Sequence, residues 1–169
     1  MGTVTALVWE GVPQGWDMDR VVKDHYDAVY RFCARRIGTA RAADAAQDTF
    51  LTAQRAIRRF RGESSLRTWL LGIALNECRR AIRRGGAEPL PLEVDLACPA
   101  SPDEGAFADR QALAAALSRL SEEHRDVVIL HELQGLTYEE VAVVVKAPVG
   151  TVKSRLHHAF LNLRREMGA

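Results

Sequence analysis

The sequence predicts an all-α fold made of two small helical domains joined by a flexible acidic linker. Apolar and aromatic residues recur at steps of three and four, as in Val22, Tyr26, Val29 and Cys33 of a helix predicted from about 19 to 37. No stretch shows the alternation of apolar and polar residues that indicates a strand. The helical periodicity is lost between 87 and 105, where four of the six prolines lie, and this loss indicates a linker.

The distribution of charge supports the same division. Residues 20–86 hold 15 Lys and Arg against 6 Asp and Glu, whereas residues 87–110 hold one Arg against 6 acidic residues. A basic domain favours a polyanionic partner, and an acidic linker does not suit DNA. We therefore predict a flexible tail at 1–18, a basic domain at 19–86, the linker at 87–106 and a second domain at 107–169.

Two further helices are predicted in the basic domain. One runs from about 42 to 60, and the next begins near Ser64 or Ser65, whose hydroxyls suit a helix N-cap, and ends at Gly85. Both helices are expected to bury one apolar stripe in the domain core. The predicted stripes consist of Ala43, Ala46, Phe50, Ala53, Ile57 and Phe60 in the first, and of Leu66, Trp69, Leu70, Ile73 and Ala74 in the second.

The end of the chain predicts a helix-turn-helix. Thr137 and Glu140 have the spacing of a capping box, so a short helix is expected to begin there and to end before a tight turn around Lys146. The following helix has an apolar stripe of Val149, Val152, Leu156, Ala159 and Leu163, and Thr151, Ser154, Arg155 and His158 on another face. Such polar side chains suit phosphate and base edges, although periodicity alone also fits an ordinary helical hairpin on the surface.

Enzymes and metal proteins are not favoured. The five histidines make no metal-ligand spacing with carboxylates or cysteines, and we find no nucleophile beside a base and no phosphate-cradling glycine loop. No apolar run approaches a membrane span, and no secretory signal is visible. Three widely spaced cysteines favour reduced thiols. We therefore expect a cytoplasmic protein without catalytic activity, cofactor, metal or membrane insertion.

Four motifs in order resemble the extracytoplasmic-function sigma factors of bacterial RNA polymerase. These are the helix segment at 43–50, the turn and helix start at 59–70, the basic helix end at 79–84, and Pro-Val-Gly-Thr-Val-Lys-Ser-Arg-Leu at 148–156. The resemblance implies sigma region 2 followed by sigma region 4, with no enzymatic activity. It also implies three partners, which are core RNA polymerase (through its β′ clamp and β flap), promoter DNA and an anti-sigma factor.

The resemblance assigns roles to three sets of residues. The set that matches the polymerase clamp surface is Asp44, Gln47, Asp48, Thr49 and Phe50. The set that matches the part of region 2 that captures and opens the −10 element is Arg58, Phe60, Arg61, Gly62, Ser64, Ser65, Thr68, Asn76, Arg79, Arg80 and Arg83. The set that matches the −35-reading surface is Thr137, Thr151, Lys153, Ser154, Arg155, His157 and His158.

The chain departs from the family pattern at several of these places. Lys146 stands where the family usually has Gly, so Lys146 must adopt a positive φ or the turn must differ. His158 and Phe160 stand where Arg is frequent, which predicts either weaker and less salt-sensitive −35 binding or a different −35 sequence. Two alternatives stay open: a regulator that uses only the helix-turn-helix, and a degenerate sigma-like protein that opens no promoter.

Overall fold

The computed structural model of the chain describes residues 17–85 and 104–168, with side chains from 111 onward in the second part. The tail predicted at 1–18 and the linker predicted at 87–106 lie almost wholly outside these residues. The described residues form seven α-helices, a 3-10 turn and a π-helical turn, without a strand. The prediction of an all-α fold is confirmed. Over the same ranges, no helix combines the length and the apolar character needed to cross a membrane.

The first part contains α1 (Met18–Ile37), α2 (Thr39–Ala56), a 3-10 turn (Ile57–Arg59) and α3 (Leu66–Gly85). Asp17 caps α1, because its carboxylate accepts hydrogen bonds from the backbone N–H groups of Asp19 and Arg20. Ser65 caps α3 as predicted, because its hydroxyl accepts from the backbone N–H of Thr68 at 3.0 Å. Three helices thus enclose one core around Phe32, Ile37 and Leu70.

Two predicted faces are wrong in detail. Ala43 is exposed and Ala42 is buried instead, because α2 begins immediately after Gly38 and its alanines are too small to specify which of them faces the core. Tyr26, which we placed on the inner stripe of α1, is 40% exposed. Phe60 lies beyond the end of α2 because the helix tightens into the 3-10 turn.

The third helix is also rotated relative to its predicted stripe. Leu70 and Ala74 are buried as predicted, but Leu66, Trp69 and Ile73 are only partly buried, and Leu71 and Leu75 complete the core. The buried surface of α3 is wide because other helices pack on more than one of its sides, which a single-stripe pattern does not predict.

The second part contains α4 (Glu104–Arg119), α5 (Glu122–Val128), a π-helical turn (Ile129–Leu133), α6 (Tyr138–Val145) and α7 (Val149–Met167). Arg125 ties α5 to the end of α4, because its guanidinium donates to the carbonyl oxygens of Leu117, Ser118 and Leu120 at 2.5–3.0 Å. Burial lowers the pKa of the Arg125 guanidinium below its ordinary value.

The helix-turn-helix forms as predicted. Thr137 accepts a hydrogen bond from the backbone N–H of Glu140, and the Glu140 carboxylate accepts one from the backbone N–H of Thr137, which completes the capping box. Lys146 ends α6 with φ of 53°, so it accepts the left-handed conformation. The stripe of α7 is buried at Val152, Leu156, Ala159 and Leu163 and half-buried at Val149.

The two parts are in direct contact, whereas the sequence predicted domains connected only by a tether. Helix α3 packs against α6, and α1 packs against the π-helical turn. The carboxylate of Asp126 lies at the centre of this contact and is fully buried. Periodicity within single helices carries no information about such a contact, since both faces look like ordinary polar helix surface in the sequence.

Candidate nucleic-acid and protein interfaces

An apolar groove of about 350 Å³ opens between α1 and α2. Asp44 and Gln47 are exposed at this groove, as predicted for a protein-binding face, and Asp48 beside them is half-buried. Tyr26 stacks on Tyr30 and Phe50, with ring centroids 6.0 and 6.2 Å apart. The groove is lined by Met18, Val22, Tyr26, Ala43, Asp44, Gln47, Phe50 and Leu51.

The groove revises the predicted clamp set. Thr49 is fully buried and its hydroxyl donates to the carbonyl oxygen of Ala45 at 2.7 Å, so Thr49 packs the core and is not available as a surface contact. Phe50 is 7% exposed and contributes only a wall of the groove. Sequence reasoning missed Tyr26 and Leu51, which are 40% and 39% exposed, because Tyr26 was assigned to the inner stripe of α1 and Leu51 lay outside the predicted stripe of α2.

An exposed cationic loop separates α2 from α3. Arg58 and Arg61 are exposed, and Gly62 has φ of 73° with open space where a Cβ would lie. Phe60 packs against Trp69, with ring centroids 5.1 Å apart, and this contact joins the end of the 3-10 turn to α3 on either side of the loop. Ser64 is half-buried beside the loop, and Ser65 is exposed although its hydroxyl is engaged by Thr68 at the start of α3.

The predicted −10 residues on α3 fall into two groups. Asn76, Arg80 and Arg83 are exposed, and Arg80 pairs with the buried Glu77 at 2.9 Å. Thr68 and Arg79 instead face the second part of the chain. Thr68 is 1% exposed and therefore cannot contact DNA while the two parts remain in contact.

Helix α7 presents most of its predicted −35 residues to solvent. Lys153, Ser154, His157 and His158 are exposed. The Lys153 ammonium lies 5.3 Å from the centre of the Tyr138 ring, which is close enough for a cation–π interaction. Sequence reasoning did not select Tyr138. Its place as an aromatic residue at the start of the first helix of the helix-turn-helix was the available signal for a contact with the second helix.

Arg155 is held more tightly than its neighbours on α7. Its side chain is 23% exposed, and its Nη2 lies 2.9 Å from Oε2 of Glu123 on α5. Thr151 on the same side of the helix is half-buried, whereas Thr137 before α6 is exposed. The ion pair directs the Arg155 guanidinium towards Glu123.

The described residues contain no group of three or more His, Cys, Asp or Glu side chains arranged to hold a metal ion.

Cys33 and Cys78 lie fully buried beside each other on α1 and α3. A hydrogen bond with Cys33 and burial raise the pKa of the Cys78 thiol well above its ordinary value of 9.0. Both cysteines therefore act as small apolar core residues.

Comparison with known proteins identifies both parts of the chain. The model of Sigma-70 region 2 matches residues 21–88, and that of Sigma-70, region 4 matches residues 110–163. The chain is 32% identical over 140 residues to the ECF RNA polymerase sigma-E factor of Escherichia coli strain K12, covering 75% of this chain and 73% of the relative. The chain belongs to the extracytoplasmic-function sigma factors.

Other relatives agree with this assignment. The sigma factor is 33% identical over 132 residues to the RNA polymerase sigma-H factor of Pseudomonas aeruginosa, covering 70% of this chain and 68% of the relative. Its structure is similar to that of the sigma factor RpoE from Bartonella quintana, co-crystallised with the anti-sigma factor NepR. That likeness has a TM-score of 0.71 and 26% identity, and it covers 90% of this chain and 98% of that chain. CnrH, solved with the cytosolic domain of CnrY, shares the fold, with a TM-score of 0.68, 24% identity, and coverage of 89% of this chain and 87% of that chain.

Membership settles the general activity. This sigma factor directs RNA polymerase to promoters, and its partners are core RNA polymerase and DNA. It is not an enzyme, because sigma factors supply recognition while the polymerase supplies the chemistry.

Proposed function

We propose that this sigma factor reads promoters at two points, with the cationic loop and α3 on the −10 element and α7 on the −35 element. The observation that carries the proposal is the pairing, in one chain, of an exposed cationic loop before α3 with a capped helix-turn-helix. A simple regulator would need only the second of these features.

The cationic loop suits a single strand of opened DNA. A base can be recognised outside the duplex only if it leaves the stack and finds a pocket. Gly62 leaves room for close approach, Ser64 carries a hydroxyl group beside it, and the exposed Arg61 can bind phosphate. Ser65 contributes by capping the N-terminus of α3 next to the loop. Asn76, Arg80 and Arg83 extend the same cationic surface along α3.

The −35 element is assigned to the exposed face of α7. Lys153 and His157 lie there with Ser154, and Arg155 is oriented beside them by Glu123. We assign phosphate positioning to Lys153 and base-edge contact to Arg155. With histidine at position 158 and phenylalanine at position 160, we expect weaker and less salt-sensitive −35 binding than arginine would give.

The groove between α1 and α2 is our candidate surface for the β′ clamp, and the second part is our candidate for the β flap. An apolar floor with Asp44 and Gln47 at its edge suits a helical partner that carries both apolar and basic side chains. We further propose that the protein acts in the cytoplasm and that an anti-sigma factor regulates it. The anti-sigma proposal is supported by the structural relative solved with such a protein.

The clamp surface can be tested with a matched pair of charge reversals. Asp44→Lys places a cation at the groove and should weaken assembly with core polymerase at least tenfold in a titration followed by fluorescence anisotropy. Asp27→Lys, at an exposed position of α1 outside the groove, is the control and should bind as the unaltered chain does. Equal affinities for the two variants would contradict the assignment of the groove.

A run-off transcription assay tests the function as a whole. Core polymerase with this sigma factor should produce a transcript from promoter fragments selected by footprinting, and core polymerase alone should not. Assembly without a transcript would favour the degenerate sigma-like protein, and duplex DNA binding without assembly would favour the regulator.

A further inference from the structure

A buried ionic contact joins the two parts of the chain. Asp126 of α5 is fully buried, and its two carboxylate oxygens accept from Arg36 Nε of α1 at 2.6 Å and from Arg79 Nη2 of α3 at 2.9 Å. Arg36 is itself 1% exposed, and its Nη2 lies 3.3 Å from Oε2 of Glu122. One carboxylate of the second part is therefore clamped between two cations of the first part.

Hydrogen bonds flank this ionic contact. Arg67 donates to the carbonyl oxygen of Gln134 at 2.7 Å, and Thr68 donates to the Glu140 carboxylate at 3.0 Å. Arg35 donates to the carbonyl oxygen of Leu133 at 2.9 Å. The contact thus combines several charge-assisted hydrogen bonds, which are stronger than hydrogen bonds between neutral groups.

We propose that Asp126 closes a latch between the two parts and thereby withholds Thr68 and Arg79 from promoter DNA. The inference rests on the proposed function and on the −10 role that the family resemblance assigns to these two residues. A guanidinium binds a carboxylate and a phosphate with the same donor geometry. Asp126 therefore occupies Nη2 of Arg79, a donor that a DNA phosphate would use, and the closed and promoter-bound arrangements compete.

Distance also makes the closed arrangement incompatible with promoter binding. The −35 and −10 positions are about 25 base pairs apart, which corresponds to roughly 85 Å of duplex at about 3.4 Å per pair. In the closed arrangement α3 lies against α6, the helix that precedes the −35-reading helix. One closed molecule cannot place both surfaces on their elements, so the latch must open first.

The latch favours two discrete states over a continuum. Breaking the contact halfway leaves buried charges without partners, which is costly, whereas full separation returns Asp126 and both arginines to water. A contact of this kind behaves as a two-state element. Only the open state can bind the β′ clamp and the β flap at once. The apparent affinity for core polymerase is therefore reduced in proportion to the fraction of molecules that are open.

Small-angle X-ray scattering of the free full-length chain tests the latch directly. Asp126→Asn removes the charge with little change of shape and should raise the radius of gyration by several ångströms above that of the unaltered chain. The double variant Glu122→Gln with Glu140→Gln removes two charges that flank Asp126 on the surface of the second part. It should also raise the radius of gyration. Gln at 140 still suits the capping box.

The matched control removes two charges from the same part without touching the contact. Glu132→Gln with Glu166→Gln affects carboxylates that lie near His131 and Arg119 of the second part, and this variant should scatter as the unaltered chain does. Circular dichroism establishes that each variant folds. If Asp126→Asn does not fold, the Glu122 and Glu140 variant decides the question.

Titration with core polymerase separates the two proposals. Opened variants should bind core at least fivefold more tightly than the unaltered chain. Folded variants with unchanged scattering would overturn the latch, as would an unaltered chain that is already extended. If the variants expand but neither they nor the unaltered chain bind core polymerase, the latch is supported and the proposed function is overturned.

Discussion

Lys146, at the turn between α6 and α7, holds a backbone conformation that glycine adopts at no steric cost. Its φ of 53° is the one positive value at a non-glycine position among residues 17–85 and 104–168. Lys146→Gly should raise the free energy of unfolding by about 0.5–1 kcal/mol, measured by urea denaturation, because it relieves contact between Cβ and the backbone. Lys146→Ala keeps Cβ and is the control; an equal gain in both variants would contradict this explanation.

Lys153 and Arg155 are neighbours on α7 with different expected roles. Lys153→Ala should weaken binding to all −35 sequences about equally and reduce the slope of log K against log salt by about 1. Arg155→Ala should relax discrimination at one base pair by about 1–3 kcal/mol. Binding of holoenzyme to promoters with single −35 substitutions, measured at several salt concentrations, checks both effects. Exchange of the two effects would show that the roles are reversed.

Sequence reasoning at the residue scale succeeded where the signal was local. The positive φ of Lys146 and the inward stripe of α7 follow from residues within one or two helical turns of each other. Arg36 and Asp126 gave no such signal, because an arginine that is buried by a distant carboxylate looks like any solvated arginine in the sequence. The burial of Thr68 at the contact with the second part could not be predicted either, because it too depends on residues distant in sequence.

Among the helices, α6 has the most complete start signal. A hydrogen bond from the Thr137 backbone, with further help from Thr68 and Arg67, holds the pKa of Glu140 below its ordinary value of 4.5. The ionised carboxylate therefore favours the folded chain. Its contribution is fully present above about pH 5.5 and is lost as the pH falls through 4.5 towards the lowered pKa.

This linkage predicts a pH-dependent difference between the unaltered chain and Glu140→Gln. Urea denaturation should show the unaltered chain to be more stable at pH 7, with the difference shrinking steadily below pH 4.5. A difference that stays constant down to pH 3 would show that the carboxylate does not supply the stabilisation.

Element boundaries follow the strength of the local start and stop signals. The capping box and the turn at Lys146 set α6 accurately, and Ser65 and Gly85 set α3. Helix α2 was predicted less well, because Gly38 permits an immediate restart and a run of alanines does not specify a face. The buried face of α3 differs from its predicted stripe because α3 packs against α6, a helix that is distant in the sequence.

On the scale of the whole molecule, composition predicted two helical parts of different charge, and the ordered motifs predicted the family. Both predictions are confirmed. The contact between the parts could not be predicted, since it depends on the pairing of Asp126 with Arg36 and Arg79, which lie 90 and 47 residues away in the sequence. We propose that the same two parts carry the recognition surfaces and, in the closed arrangement, cover some of them.

The most direct test of the central claim is permanganate footprinting, because permanganate oxidises thymines only where DNA strands are separated. Holoenzyme containing this sigma factor should make thymines at the −10 element reactive on a promoter that core polymerase alone leaves unreactive. Arg61→Ala should reduce that reactivity while assembly with core stays unchanged, since Arg61 lies on the exposed loop. A stable holoenzyme that binds the promoter without any reactive thymine would contradict the claim that this chain opens promoters.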